Sequence, residues 1–371
     1  MRYLLRLSGL WFATVCLSTA VKAELTPVYT AFVADTAAGR EPLLPDYSYA
    51  GYERGEQPIP SVQGPIFDVT HYGAVPNSKK PAYKAIQKAI DACEKAGGGV
   101  VWFPKGVYQV NPKGSGADAP RLRITRSGVV LRGEGAGPDG SVLFMEDEIQ
   151  PEDPKKMWTG QPVLAVAPAE KSNPITVGEV AGAVAMNQRR IPVKRGHTIK
   201  PGDRVALTNT VAGNDTIALN QRIAPHTWLP EWTSGIDLQE KHEIECVGLD
   251  FVMMKEALLT PIKAGQTWVI NRVVFINNIG IEKLRFRGNW HGDFVHHRDW
   301  RGDSAWRAFT FNWVENSWAR DCVFEDMNWP VQIRHSRQCT TENLSFTGTA
   351  GHFGMQCTST TNILNITSVR H

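Results

Sequence analysis

Two adjacent histidines, His296 and His297, and one arginine, Arg334, are the side chains whose types suit proton transfer on an anionic substrate. A guanidinium pairs bidentately with a carboxylate or sulfate. An imidazole titrates near neutrality and exchanges protons there. Together they fit a β-elimination in which Arg334 neutralises a uronate carboxylate and His296 takes the acidified C5 proton. His297 or a tyrosine would then protonate the leaving oxygen. If Phe309, Phe311, Val331, Ile333, Phe353 and Met355 point inward, the period of two turns Asn312, Arg334 and Gln356 outward in one stack, with Thr310 and Gln332 beside them. An arginine flanked by amides on a flat face suits a carboxylated or sulfated sugar. A solvated arginine on an ordinary surface fits the same pattern.

The stretch 290–313 holds the other candidates. Six of the twelve tryptophans lie between 290 and 329. Trp300 and Trp306 are expected in loops, as platforms for sugar rings, with Arg298 as a further substrate-binding residue. Trp313 and Trp318 are expected in the core, where an indole buries most area. A metal site from His296, His297, Asp299 and Asp303 is conceivable, but the spacing defines no metal. A glycoside hydrolase would need two carboxyl groups across the bond, which Glu325 and Asp326 with Asp299 or Asp303 would supply. A uronate epimerase shares the proton abstraction without the elimination, and a non-catalytic glycan-binding or adhesion solenoid needs neither.

These residues must be positioned by short strands. Three segments superpose at a spacing of 22 residues: Phe311, Ile333 and Met355; Ala319, Thr341 and Ile363; Cys322, Leu344 and Ile366; and the polar set Asp321, Asn343 and Asn365. Gly280 to Phe286 joins the register if about 16 extra residues precede the next turn. A period in the low twenties suits one coil of a β-solenoid, with apolar residues stacked inward and Asn or Asp at corners that need left-handed backbone. Counting from Phe286 puts Val295 level with Ile333, and hence His296 level with Arg334, one rung away at about 4.8 Å. One helix is expected upstream, from Ile86, Ala89, Ile90 and Cys93 between Pro81 and Gly97-Gly98-Gly99. Strand-like runs follow at Val100–Phe103 and Val107–Val110.

Phe67-Asp68-Val69-Thr70-His71-Tyr72-Gly73-Ala74, Ala85 to Ile90, and Gly97 through Tyr108 form a strand–helix–strand unit. It resembles the first segment of the pectate-lyase superfamily, and Ser127 to Gly135 resembles the coil that follows. The resemblance covers roughly 66–145, and 273–369 through the repeat. It departs at Pro76 to Pro81, where family members carry an Asp/Thr-rich turn. It implies an all-β chain: a right-handed parallel β-helix with an N-terminal capping helix. It leaves the reaction open among lyases, hydrolases, epimerases and tail-spikes. Calcium, used by many members, is implied by the resemblance alone.

The expected domains are a signal peptide at 1–23, an extended arm at 24–64, and a β-helix at 65–371 with a β-rich insertion about 146–272. Arg2 and Arg6 precede the apolar run Leu7 to Ala20, and Val21-Lys22-Ala23 offers small residues for cleavage. The run is too short to span a bilayer. The expectation is a secreted or periplasmic monomer acting on a polysaccharide, with no transmembrane segment after cleavage. The net charge of +3 falls to zero without Arg2, Arg6 and Lys22, so general attraction to nucleic acid is unsupported. Cys93, Cys246, Cys322, Cys339 and Cys357 form no disulfide framework and read as mostly buried thiols. Gly135-x-Gly137-x-x-Gly140 spells a dinucleotide fingerprint, but Ser141 to Phe144 continues as strand, so a turn is expected. The repeat breaks off within a coil at Val369-Arg370-His371, which suggests a piece of a longer protein.

Overall fold

The computed structural model describes residues 26–40, 45–114, 116–169, 174–211, 236–295, 297–351, 355–357, 363–366 and 369–370. The stretch 1–23, expected as a signal peptide, and His296 lie outside the described residues. Contacts divide the chain into two units, 1–44 and 45–371. In the first, Pro27–Ala37 is an α-helix, where an extended arm was expected. Thr26 caps it, its Oγ1 accepting from the amide of Tyr29, and Pro27 occupies the first turn, where no amide is needed.

The second unit is a right-handed parallel β-helix whose coils run through three sheets. The first sheet stacks Ile66–Asp68, Gly99–Phe103, Val129–Gly133, Gly280–Glu282, Val314–Arg320 and Arg337–Glu342. The second stacks Gly106–Asn111, Ser141–Met145, Arg285–Gly288, Val323–Glu325 and Ser345–Thr347. The third stacks Leu122–Ile124, Leu164–Val166, Phe309–Asn312, Val331–Arg334 and Met355–Cys357. The helix Tyr83–Lys95 caps the first coil and buries Ile86, Ala89, Ile90 and Cys93, the expected face.

One position of the second sheet is a column of large apolar residues. Leu143, Phe286, Phe324 and Phe346 are level in successive strands. Phe324 stacks on Phe286 at 5.4 Å and on Phe346 at 5.3 Å between ring centroids. Phe324→Ala therefore removes the middle ring of a column and is expected to cost about 3–5 kcal/mol, read by chemical denaturation. Two of the anticipated polar residues stand at corners, Asp321 and Asn343 with φ of 55° and 51°, and Asp326 adopts the same backbone with φ of 52°. Asn343 Nδ2 donates to Asp321 Oδ1 at 3.1 Å, linking one corner to the next.

The 22-residue register holds from Phe309–Asn312 to Val331–Arg334 and from Trp318–Arg320 to Thr340–Glu342. The additional 16 residues in the coil before are also observed, since Phe286 pairs with Phe324. The third repeat departs. Met355 pairs with Val331 rather than Ile333, Ile363 pairs with Asp237, and Val369 pairs with Cys339. Longer connections change the spacing there, although the polar corner pattern persists in sequence.

The β-rich insertion begins later than 146. Leu164–Val166 pairs with Leu122–Ile124 on one side and Phe309–Phe311 on the other, which makes it a rung of the helix. The inserted body is an antiparallel sheet from Ile175–Glu179 to Val269–Arg272, which the parallel strand Ile363–Ile366 joins. The bridge between Val180 and Val193 connects its first and last strands, closing it around Trp268, Leu207, Ile244 and Ile270. Gly135 to Gly140 is a turn, with the Ser141 amide donating to Gly135 O at 2.7 Å. Cys93, Cys322 and Cys339 are buried, while Cys246 is exposed.

Candidate functional site

The outward face of the third sheet carries a tile of polar side chains. Thr310 is level with Gln332, and Asn312 with Arg334, in neighbouring strands. In the preceding strand Ala165 is level with Thr310, so the floor drops where the side chain ends at Cβ. The result is a groove of about 480 Å³ lined by Trp158, Ala165, Arg307, Asn312, Gln332 and Arg334, among others. Gln356 is level with Gln332, not Arg334, because of the longer last connection; its side chain lies outside the described residues.

Arg307 was not anticipated. A strict alternation through Phe309 and Phe311 sends residue 307 inward. The strand, however, begins at Phe309, and the amides of Ala308 and Phe309 both reach Pro330 O. The alternation therefore does not extend back to Arg307, which turns into the groove. Its Nη1 donates to Gln332 Oε1 at 3.3 Å, its Nη2 to Trp158 O at 2.6 Å, and its guanidinium lies 3.6 Å from the Trp329 ring centroid.

Arg307 is 4% exposed and Arg334 is half-buried. Neither guanidinium has an ion-pair partner among the described residues. The pKa of Arg307 is lowered to about 9, first by burial and then by the nearby charge of Arg334, against an opposing effect of Asp303. Burial lowers that of Arg334 too. Both remain cationic at neutral pH. Arg307 Nε, Arg334 Nε, Thr310 Oγ1 and Asn312 Oδ1 have no hydrogen-bond partner among the described residues. Buried polar atoms are seldom left so, and two adjacent cations with no ion pair and no carboxylate in the groove lining form a site complementary to an anion.

His297 and Asp303 stand on the loop between Arg285–Gly288 and Phe309–Asn312. The imidazole Nδ1 lies 3.0 Å from both carboxylate oxygens of Asp303, which is 2% exposed, while the His297 side chain is 58% exposed. This is an exposed imidazole oriented by a buried acid. The rung before Phe309–Asn312 is Leu164–Val166, so Val295 is not level with Ile333 as expected, and His296 lies outside the described residues.

The remaining candidates are engaged elsewhere. Trp306 is 3% exposed and packs in the core, so no sugar can stack on it. Trp300 opens the short helix Trp300–Asp303, half-buried against the core, with Arg301 4.4 Å from its ring centroid. Arg298 pairs with Asp299 at 3.5 Å, and Asp299 caps the short helix by accepting from the Gly302 amide. Trp318 is core as expected, whereas Trp313 is half-buried and stacks on His335 at 4.9 Å. Of the paired carboxyls a hydrolase would need, Glu325 holds Arg285 and Asp326 accepts from the Thr349 amide. Among the described residues no three His, Cys, Asp or Glu side chains gather as metal ligands, and the groove's two guanidiniums, with no carboxylate in its lining, do not fit calcium.

The coiled body, with an outward groove on one sheet, has the fold of a right-handed parallel β-helix, and its first coils resemble a pectate-lyase-like family. Residues 66–152 match the family model described as rhamnogalacturonase A/epimerase, pectate lyase-like. Mannuronan C5-epimerase AlgE1 of Azotobacter vinelandii is 33% identical over 118 residues, which is 32% of this chain and 8% of that protein. Alginate lyase 7 of the same organism is 39% identical over 71 residues, 19% of this chain and 8% of that protein. The chain thus spans under a tenth of the length of these two curated relatives. Among solved structures, the tailspike gp61 of Pseudomonas phage phi297 aligns with a TM-score of 0.43 at 12% identity, over 77% of this chain and 49% of that one.

Proposed function

We propose that the protein is an exported carbohydrate-active enzyme that cleaves an extended acidic polysaccharide by β-elimination. One observation carries the reading: the buried guanidinium of Arg307 and the half-buried one of Arg334 meet in an open groove whose lining holds no carboxylate. A uronate carboxylate supplies that balance, and neutralising it acidifies the C5 proton. His297 is the base, its ring held through Nδ1 by Asp303, so that the proton is taken at Nε2. His296, next in the chain, is the partner acid–base candidate. The electron pair released at C5 forms the C4–C5 double bond as the C4–O bond breaks, and the leaving oxygen takes a proton.

Epimerisation is the second reading, favoured by the identity to mannuronan C5-epimerases over the first coils. It uses the same carboxylate anchor and proton abstraction, with reprotonation from the opposite face. Incubating the protein with alginate, polygalacturonate, sulfated galactans and neutral glucans separates the cases. Ultraviolet absorbance rising with reducing ends is the expected result. Reducing ends alone would overturn elimination in favour of hydrolysis. A change in uronate composition without cleavage would identify the epimerase.

A further inference from the structure

The groove has two aromatic walls, and only one is open. Trp329 is 7% exposed with the Arg307 guanidinium against its face. Trp158, by contrast, is 53% exposed. A lone exposed tryptophan is unremarkable when its backbone is loose, but this backbone is clamped. Trp158 O accepts from Arg307 Nη2 at 2.6 Å. On one side of it, Met157 O accepts from Ser304 Oγ; on the other, the Gly160 amide donates to the same hydroxyl at 2.9 Å. Residue 160 must be glycine, because a Cβ there would stand 2.2 Å from Ser304 O. The indole is therefore presented to solvent at the groove rim on a segment held from both ends, and one holder is the anion-binding arginine itself.

We propose that Trp158 is a sugar-stacking platform that binds the unit next to the acidic one, so that the groove selects oligomers over single uronates. This rests on the acidic-polysaccharide reading above and adds a neighbouring subsite to it. An indole face covers the axial C–H surface of a pyranose, and a pre-positioned ring loses little entropy on binding.

The test is calorimetry of the whole chain with a trimeric oligouronate, beside the melting-temperature shift produced by monomeric glucuronate. Trp158→Ala is expected to weaken the trimer about tenfold and leave the glucuronate shift unchanged, while Trp158→Phe retains most of the affinity. Equal trimer affinity in wild type and Trp158→Ala would overturn the platform and leave the acidic reading standing. Absence of both trimer binding and a glucuronate shift in the wild type would overturn the two together. Trp158-dependent binding of a neutral trimer with no glucuronate shift would keep the platform and overturn the acidity.

Discussion

Arg334→Ala is expected to lower kcat/KM on the cleaved polyuronate by about two to three orders of magnitude, the scale seen when a charge-stabilising donor is removed from a transition state. The fold should persist, since Arg334 faces the groove and no ion pair among the described residues depends on it. Arg307→Gln should act similarly on binding, and it carries a pH signature. Burial holds the Arg307 pKa near 9, so the folded protein bears the cost of that buried cation at neutral pH. The cost lessens as pH rises through 9 and the group loses its proton in the folded state before it would in the unfolded chain. Anion affinity must change the other way: steady from pH 6 to 8, then falling above about 9 as Arg307 becomes neutral. Sulfate or glucuronate at a hundred times its dissociation constant should add about 2.7 kcal/mol of stability by mass action. The doubly substituted protein should lose that gain. A wild-type melting temperature indifferent to both anions across this range would remove the basis for an anion groove.

The second large effect concerns proton transfer. His297→Ala is expected to reduce kcat by about 10²–10⁴-fold, the usual contribution of a positioned acid–base group. Asp303 does not touch the substrate in this scheme; it is a positioning residue, buried with both oxygens 3.0 Å from the imidazole Nδ1. Asp303→Asn should therefore lower kcat with little change in KM, because the amide no longer holds the imidazole in the productive tautomer. Asp303→Glu should restore part of the rate if the carboxylate can still reach Nδ1. Unchanged kcat in both His297→Ala and Asp303→Asn would move the base to another residue, with His296→Ala as the next variant to assay. The same kinetic split separates this pair from Trp158, whose loss should raise KM for oligomers far more than it lowers kcat.

Much of this architecture is written locally and is therefore legible in the chain. The capping helix follows from the spacing of Ile86, Ala89, Ile90 and Cys93. The coil period follows from like residues recurring where like residues must stack, and the corners from Asp and Asn tolerating positive φ. The period-two rule also turned Thr310, Asn312, Gln332 and Arg334 to one outward face, because strands of the same sheet keep their alternation in register. What the sequence could not decide lies wherever the chain leaves the repeat. The loop 289–308 makes any count across it meaningless, so only tertiary pairing shows that Leu164–Val166 lies beside Phe309–Phe311. That pairing, made across an inserted sheet of about a hundred residues, brings Trp158 and Arg307 to one groove from 149 positions apart. Alternation predicts which way a strand residue points, but it has no authority two residues before the strand begins, where Arg307 sits. Nor can residue type say whether a tryptophan is needed by the core: Trp306 fills it, while Trp158 is held out of it by hydrogen bonds to partners that only the folded chain supplies.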